Sequence, residues 1–159
     1  MGTPKALLRV GGTPLIVRHV EAFRSMGLRV HVVLGCDAER IAAALPAGVI
    51  VRHNHLWATT GPAESAAIAL LGLGPTLLTP VDVPPAAPDD LRRLLDAAGP
   101  AVLTYDGADG HPVRLDPPHI AGRLDGRLAT ALRIAVGDPG RILNLNSPNQ
   151  WESWLKGHQ

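Results

Sequence analysis

The apolar run at residues 77–81 is the most buried-looking strand of the chain, and an acidic residue, Asp82, follows it directly. A continuous apolar run of this kind is typical of a strand that is covered on both faces of a sheet. Because burying an unpaired carboxylate costs several kcal/mol, Asp82 should emerge at the C-terminal end of the strand. Ligands of open α/β sheets gather along that edge. The sequence therefore predicts that Asp82 is a carboxylate ligand for Mg²⁺.

Helical and strand-like patterns alternate through the first two thirds of the chain. They predict helices at residues 13–27, 38–45, 62–71 and 88–98, and strands at residues 29–35, 49–52 and 77–81. Strands and helices that alternate at these lengths imply right-handed βαβ crossovers. We predict an α/β fold with a mainly parallel sheet that helices cover on both faces. The 159 residues, 46% of them apolar, fit a single domain over residues 1–159.

The pattern is less regular in the last third of the chain. Residues 101–105 and 112–115 are predicted strands on either side of a Gly/Asp turn, residues 128–134 a helix, and residues 142–145 a last strand before a short terminal helix. The start of the chain is also unusual, because a doubly wound domain normally opens with a strand and a phosphate-binding loop. We expect this beginning to be absent.

Composition and charge argue against several classes of protein. Lys and Arg number 15 against 14 Asp and Glu and are scattered, and only three Trp, one Tyr and one Phe are present, which disfavours nucleic acid as a partner. No run approaches the ~20 apolar residues of a membrane-spanning helix, and the N-terminus does not resemble a signal peptide. Cys36 is the one cysteine, so no internal disulfide can form. We expect a soluble, cytoplasmic protein that binds small polar or anionic ligands.

Two segments of the first half carry candidate nucleotide-binding residues. Gly2 and Lys5 lie in a short stretch whose ammonium group can contact phosphate oxygens, with an exposed Lys at a frayed terminus as the alternative. Asn54 lies just past a predicted strand. There it can contact a base or a ribose, or it can stabilise a turn by local hydrogen bonds.

A helix start provides the next candidate site. Gly61, Pro62 and Ser65 surround the first turn of a predicted helix, where backbone N–H groups can bind an anion or can simply be capped. Nearby, His53 and His55 can face the same side of an extended chain. A third zinc ligand is not evident in their neighbourhood, so the sequence gives zinc little support.

Three polar residues of the last third complete the candidates. His111 lies beside the start of a predicted strand, with a half-exposed loop position as the alternative. Alternation places Asn144 and Asn146 on the same face of the last predicted strand. An amide oxygen is an acceptable ligand for a hard cation, although Asn and Ser also cap helices.

Five short motifs occur in the order found in a known enzyme family, namely Met1-Gly2-x-x-Lys5, Gly61-Pro62, Pro80-Val81-Asp82-Val83-Pro84, Gly110-His111-Pro112 and Asn144-x-Asn146-Ser147-Pro148. With these motifs almost the whole chain resembles the MobA/MocA-like molybdenum-cofactor nucleotidyltransferases, which have the nucleotide-diphospho-sugar-transferase fold. The resemblance implies a three-layer α/β/α domain that binds CTP or GTP and Mg²⁺. It also implies transfer of the CMP or GMP group to a phosphate-bearing acceptor such as molybdopterin, with release of pyrophosphate.

Carried over position by position, the resemblance implies three groups of site residues. Lys5 and Asp82 would be catalytic, since Lys5 would neutralise the triphosphate and Asp82 would hold Mg²⁺ together with Asn146. The nucleotide-binding residues would be Gly2, Lys5, Asn54, Gly61, Pro62 and Ser65. The acceptor-binding residues would be His111, Asn144 and Asn146.

The chain departs from the family pattern in two ways. A strand and a loop of the type Leu-Ala-Gly-Gly-x-Ser-x-Arg come before Met-Gly-x-x-Lys in the family, whereas nothing precedes Met1 here, so we expect an N-terminally truncated domain. Motifs of the guanylyl and cytidylyl branches are mixed, which leaves the base open. Two alternatives are a non-catalytic nucleotide-binding or regulatory paralogue and a sugar- or polyol-phosphate nucleotidyltransferase. A sheet edge left open by a missing strand would invite pairing with a second copy.

Overall fold

The structure is a computed structural model that describes residues 3–116 and 128–156. The strands are β1 (Arg9–Val10), β2 (Thr13–Pro14), β3 (His31–Leu34), β4 (Ile50–His53), β5 (Thr76–Leu78), β6 (Ala101–Tyr105), β7 (Ala108–Leu115) and β8 (Leu132–Ala135). The helices are α1 (Leu15–Ser25), α2 (Ala38–Ala42), α3 (Pro62–Leu70), α4 (Pro88–Asp96) and α5 (Pro148–Lys156), with 3₁₀ turns at Lys5–Leu7 and Pro139–Ile142. Among the described residues, no helix has the length and apolar character needed to cross a membrane.

Among the described residues, the strands form three separate sheets. β1 and β2 pair antiparallel, β3 and β4 pair parallel, and a four-stranded sheet has the order β5-β7-β6-β8. In that sheet β8 is parallel to β6, whereas β7 is antiparallel to both of its neighbours. The predicted α/β class is confirmed, but the sheet is mixed rather than mainly parallel. The cause is local, because the turn Asp106-Gly107 between β6 and β7 has φ angles of 47° and 78°, which suit a two-residue hairpin.

The strand before Asp82 is shorter than predicted. β5 ends at Leu78 rather than at Val81, because Pro80 has no N–H group to donate to a ladder. Val81 and Asp82 form a turn beyond the strand. Asp82 therefore lies past the end of β5, on a turn.

Two predictions for the last third are wrong. Residues 128–134 do not form a helix, since a turn precedes β8 and the strand itself begins at Leu132. Ile134 of β8 and Val136 just after it are buried with the alternation of a strand. Residues 142–145 do not form a strand. The 3₁₀ turn that ends at Ile142 is instead started by Asp138, whose side chain accepts a hydrogen bond from the Gly140 N–H group, and an irregular segment follows.

The C-terminal helix packs against the N-terminal segment. Trp151 and Trp154 of α5 are buried in one cluster with Val10, Leu15 and Leu145, and the two indole rings lie 5.5 Å apart. Large aromatic side chains contribute strongly to such packing. Because Leu145 belongs to this cluster, the segment that precedes α5 is held close to the beginning of the chain.

A cavity of about 490 Å³ lies between β3 and β5. Residues 28–31 line one side of it, and residues 73–79 line the other. Among the described residues, β3 pairs only with β4 and β5 only with β7, so each strand keeps one unpaired edge. Lys5, Asp82 and Asn146 are not among the residues that line this cavity.

Candidate metal and nucleotide site

Three predicted site residues, far apart in the sequence, meet in the structure. The Lys5 ammonium donates hydrogen bonds to Asp82 Oδ2 and to Asn146 Oδ1, each at 3.0 Å. The side chains of Lys5 and Asp82 are 32% and 31% exposed, so solvent and ligands can reach the pair. Two oxygens of the type that hard cations prefer therefore converge on a single cationic atom.

Backbone contacts place Asp82 next to Asn146. The Leu145 N–H group donates a 2.7 Å hydrogen bond to the Asp82 carbonyl oxygen. Leu145 itself is anchored in the tryptophan cluster of α5. The irregular segment before α5 is thereby fixed against the Asp82 turn, although it does not extend a ladder.

A helix cap orients the residue that follows Asn146. Gln150 Oε1 accepts hydrogen bonds from the Asn146 and Ser147 N–H groups at 3.0 and 2.9 Å, and Ser147 Oγ accepts one from the Gln150 N–H group at 3.3 Å. This is a capping box at the start of α5. Asn146 can therefore take part in the cap and in the site at once. The cap uses its backbone N–H group, and its side-chain amide oxygen accepts the hydrogen bond from Lys5. Ser147 and Gln150, spaced three residues apart, were the sequence signal for this cap.

His19 is a site-supporting residue that the sequence analysis missed. Its Nε2 lies 3.1 Å from the Val83 carbonyl oxygen, immediately after Asp82, and the side chain is buried. Burial lowers the pKa of His19 to about 4, against the opposing effects of backbone hydrogen bonds to Val83 and Val81 and the charge of Asp82. The neutral ring thus donates to the carbonyl from the apolar face of α1. Its position four residues after Leu15 was the signal for that face.

The lowered pKa of His19 predicts a loss of stability in acid. In the unfolded chain the His19 ring takes up a proton near pH 6.5, whereas in the folded chain it does so only near pH 4. The contribution of the neutral ring to the free energy of unfolding is therefore complete above pH 6.5 and is lost as the pH falls toward 4. From pH 7.5 to pH 5 we expect a loss of about 2 kcal/mol from this residue. Urea unfolding at both pH values measures it, with His19→Gln as the reference because its amide keeps a donor that does not titrate. Equal pH dependence in the two proteins would contradict the prediction.

His111 lies close to the Asp82 turn. Burial lowers its pKa, whereas a hydrogen bond to the Leu78 backbone and the negative charge of Asp82 act in the opposite direction. Its Nδ1 is buried and has no hydrogen-bond partner among the described residues. Just before it, Gly110 packs so tightly against Ile142 that a Cβ atom would overlap that side chain. The segments that carry His111 and Asn146 therefore approach each other.

Asn54 is the centre of a second group of predicted site residues. Its Nδ2 donates to Thr60 Oγ1 at 2.9 Å and to Ser65 Oγ at 3.0 Å, and its Oδ1 accepts from the Leu56 N–H group at 3.0 Å. Both amide donors are thus used within the chain, and the residue is buried. These contacts favour the local, turn-stabilising interpretation of Asn54 over direct contact with a base.

The start of α3 adjoins this second group. Gly61 precedes the helix, Pro62 is its first residue, and the Gly61 N–H group donates to Glu64 Oε2 at 2.8 Å. One N–H group at this helix end is therefore already capped. No described hydrogen bond joins this group to Lys5, Asp82 or Asn146.

Among the described residues, Asn144, His53 and His55 have no hydrogen bond to the group of Lys5, Asp82 and Asn146, which we call the Lys5 cluster. Asn144 is exposed, and Gly2 lies outside the described residues. His53 and His55 stack with ring centroids 5.6 Å apart. Across residues 3–116 and 128–156, no group of three or more His, Cys, Asp or Glu side chains can hold a metal ion. A zinc site at the two histidines therefore gains no support.

Sequence comparison connects the chain to nucleotidyltransferases. The profile of the MobA-like NTP transferase domain family matches residues 1–142. The chain is also 33% identical to the bifunctional protein GlmU of Paraburkholderia phymatum over 145 residues, which cover 88% of this chain and 29% of GlmU. The chain thus spans less than a third of the length of the curated relatives it matches.

Solved structures share the fold. The complex of Rv0371c from Mycobacterium tuberculosis H37Rv with manganese has a TM-score of 0.77 at 22% identity, covering 98% of this chain and 93% of that one. Molybdopterin-guanine dinucleotide biosynthesis protein A from Archaeoglobus fulgidus has a TM-score of 0.69 at 14% identity, covering 98% and 90%. These likenesses confirm the predicted three-layer α/β/α fold of nucleotidyltransferases.

Proposed function

Because the chain belongs to the MobA-like NTP transferase domain family, we propose that it is a Mg²⁺-dependent nucleotidyltransferase. It moves the CMP or GMP group of CTP or GTP to a phosphate-bearing acceptor such as molybdopterin and releases pyrophosphate. The observation that carries this proposal is the convergence of Lys5, Asp82 and Asn146 at 3.0 Å.

The donor set of the cluster fits a divalent metal ion. Asp82 supplies a carboxylate oxygen and Asn146 an amide oxygen, which are the ligand types that Mg²⁺ accepts together with water and phosphate oxygens. The crystal structure of Rv0371c with manganese supports a divalent ion in a protein of this fold. Asp82 and Asn146 are the residues that would hold the ion, which when bound supplies positive charge at the phosphate oxygens.

The rest of the reaction depends on alignment and charge. An oxygen of the acceptor phosphate attacks the α-phosphorus of the nucleotide, and the bond to the β-phosphate oxygen breaks as pyrophosphate leaves. The Lys5 ammonium binds the phosphates that carry the departing charge. His111 lies close enough to Asp82 to feel its charge, so it is the residue we assign to the acceptor side of the site. Such a transfer needs no covalent nucleophile.

Three observations bear on the substrates. The molybdopterin-guanine dinucleotide protein supports GTP and a pterin acceptor, although its identity to this chain is only 14%. The 33% identity to GlmU is higher, so a sugar or polyol phosphate stays the second candidate acceptor. By resemblance, the Gly110-His111-Pro112 motif is closer to the cytidylyl branch, whereas Gly61-Pro62 and Asn144-x-Asn146-Ser147-Pro148 are closer to the guanylyl branch, so both CTP and GTP stay candidates.

Pyrophosphate release from a matrix of substrates tests the proposal. CTP, GTP, UTP and ATP are each combined with molybdopterin, a hexose 1-phosphate or a polyol phosphate, in the presence of Mg²⁺, Mn²⁺ or EDTA. We expect turnover with CTP or GTP and molybdopterin that EDTA abolishes. Turnover only with a sugar or polyol phosphate would select the second candidate. Nucleotide binding without turnover for any acceptor would support the non-catalytic alternative instead.

A further inference from the structure

One ammonium group contacts both oxygens of the proposed metal site. Lys5 Nζ lies 3.0 Å from Asp82 Oδ2 and 3.0 Å from Asn146 Oδ1. Mg²⁺ binds oxygen at about 2.1 Å, so an ion on either of these atoms would lie no more than about 5 Å from the ammonium. Two cations held that close by the same oxygens repel each other and compete for the same carboxylate charge.

We propose that Lys5 is a displaceable counter-ion, which neutralises Asp82 until the phosphates of a nucleotide draw its ammonium away and open Asp82 and Asn146 to the metal ion. This inference rests on the proposed function. It adds that Lys5 opposes the binding of metal alone while it favours the binding of nucleotide. A residue that only supplied positive charge to the triphosphate would affect nucleotide binding and leave metal binding unchanged.

The surroundings of Lys5 allow this exchange. Its side chain is partly exposed, and the residue opens the 3₁₀ turn Lys5–Leu7 near the beginning of the chain. A Lys ammonium is a compact charge on a flexible four-carbon stem, so a rotation about side-chain bonds can move it between partners. Asp82 and Asn146 are held more firmly, because the Leu145 N–H group binds the Asp82 backbone and Gln150 binds the Asn146 backbone. Exchange therefore moves the cation and leaves the ligand oxygens in place.

Two titrations of the Lys5→Met variant test the proposal. In the first, Mn²⁺ binding to the protein without nucleotide is followed by the electron paramagnetic resonance signal of free Mn²⁺. In the second, CTP and GTP binding is measured by calorimetry in EDTA. We expect Lys5→Met to bind Mn²⁺ about tenfold more tightly than the unmodified protein, and to bind nucleotide about tenfold more weakly. A loss of local structure would weaken both.

Two control variants show whether Mn²⁺ binding depends on the positive charge at position 5 or only on the net charge of the protein. Lys156→Met removes a positive charge from the exposed end of α5, and Lys5→Arg keeps the charge at the site. Both should bind Mn²⁺ as the unmodified protein does. If Lys156→Met gains as much affinity for Mn²⁺ as Lys5→Met does, the proposal is overturned, because a change of net charge would then explain the effect.

The outcomes also distinguish this inference from the proposed function. If the unmodified protein binds Mn²⁺, Asp82→Asn loses it and Lys5→Met is unchanged or weaker, the counter-ion role is wrong and the metal site stands. If neither the unmodified protein nor Lys5→Met binds Mn²⁺, the metal site and the inference fall together.

Discussion

Replacing Asp82 with Asn is expected to lower kcat for pyrophosphate release by at least about a hundredfold, because the change removes the one carboxylate of the Lys5 cluster. The amide has nearly the same shape, so the turn that Asp82 occupies should persist. The ion pair with Lys5 is about a third exposed, and such pairs contribute only about 0–1 kcal/mol to stability. The melting temperature should therefore change little, whereas pyrophosphate release should nearly disappear. Steady-state kinetics and a melting curve on the same preparation measure both.

A matched variant makes the Asp82 result specific. Asp89 pairs with Arg92 on α4, and its side chain is 82% exposed. Asp89→Asn removes the same charge by the same chemical change and should leave kcat within about twofold. Turnover that survives in Asp82→Asn, or that falls equally in Asp89→Asn, would contradict the proposed role of Asp82 as a metal ligand.

The first two thirds of the fold could be predicted because Gly and Pro mark the element boundaries there. The predicted helix at residues 62–71, for example, is α3 (Pro62–Leu70), with Gly61 and Pro62 at its start. The errors arose where one pattern allowed two structures. The apolar residues near Ile134 fit a helix or a strand, and the ladder with β6 decides for the strand. Similarly, the Asp106-Gly107 turn makes β6 and β7 an antiparallel hairpin, whereas the alternation of helices and strands elsewhere in the chain favoured a mainly parallel sheet.

The residue types of the proposed metal site were visible in the sequence, but the basis of their convergence was not. Lys5 is 77 residues from Asp82 and 141 from Asn146. The sequence placed Asn146 beyond a strand, whereas the structure brings it to Asp82 through one backbone hydrogen bond of Leu145 and the packing of two tryptophans. Side-chain packing between distant segments leaves no periodic signal, so this part of the site required a structure.

Buried polar residues were harder still to predict. His19 lies on a face that is otherwise apolar, and Asp90 is 1% exposed on α4. Each has its main partner at a position remote in sequence, Val83 for His19 and Arg141 for Asp90. From sequence alone, Asp90 is one more acidic residue in the first turn of a helix, where the helix dipole favours it.

Replacing Arg141 with Met is expected to lower the free energy of unfolding by about 3 kcal/mol, because it leaves the buried Asp90 carboxylate without its main partner. Arg141 Nη1 lies 3.1 and 3.0 Å from the two Asp90 oxygens. Arg93 is farther away at 3.8 Å and compensates only in part. For a chain of this size, the loss corresponds to a melting temperature lower by about 6 to 12 °C. Calorimetry and urea unfolding at neutral pH measure it.

Two further variants identify burial of the charge as the cause. Arg133→Met breaks the pair with Asp109, which has two similar contacts at 3.1 and 3.0 Å but a carboxylate that is 30% exposed, and it should cost no more than about 1 kcal/mol. The double variant Asp90→Leu with Arg141→Met removes both charges and should recover at least half of the lost stability, because an apolar pair can replace a buried ion pair. If the double variant is as unstable as Arg141→Met, then lost packing of the Arg141 side chain, rather than an uncompensated carboxylate, destabilises the segment that leads to Asn146.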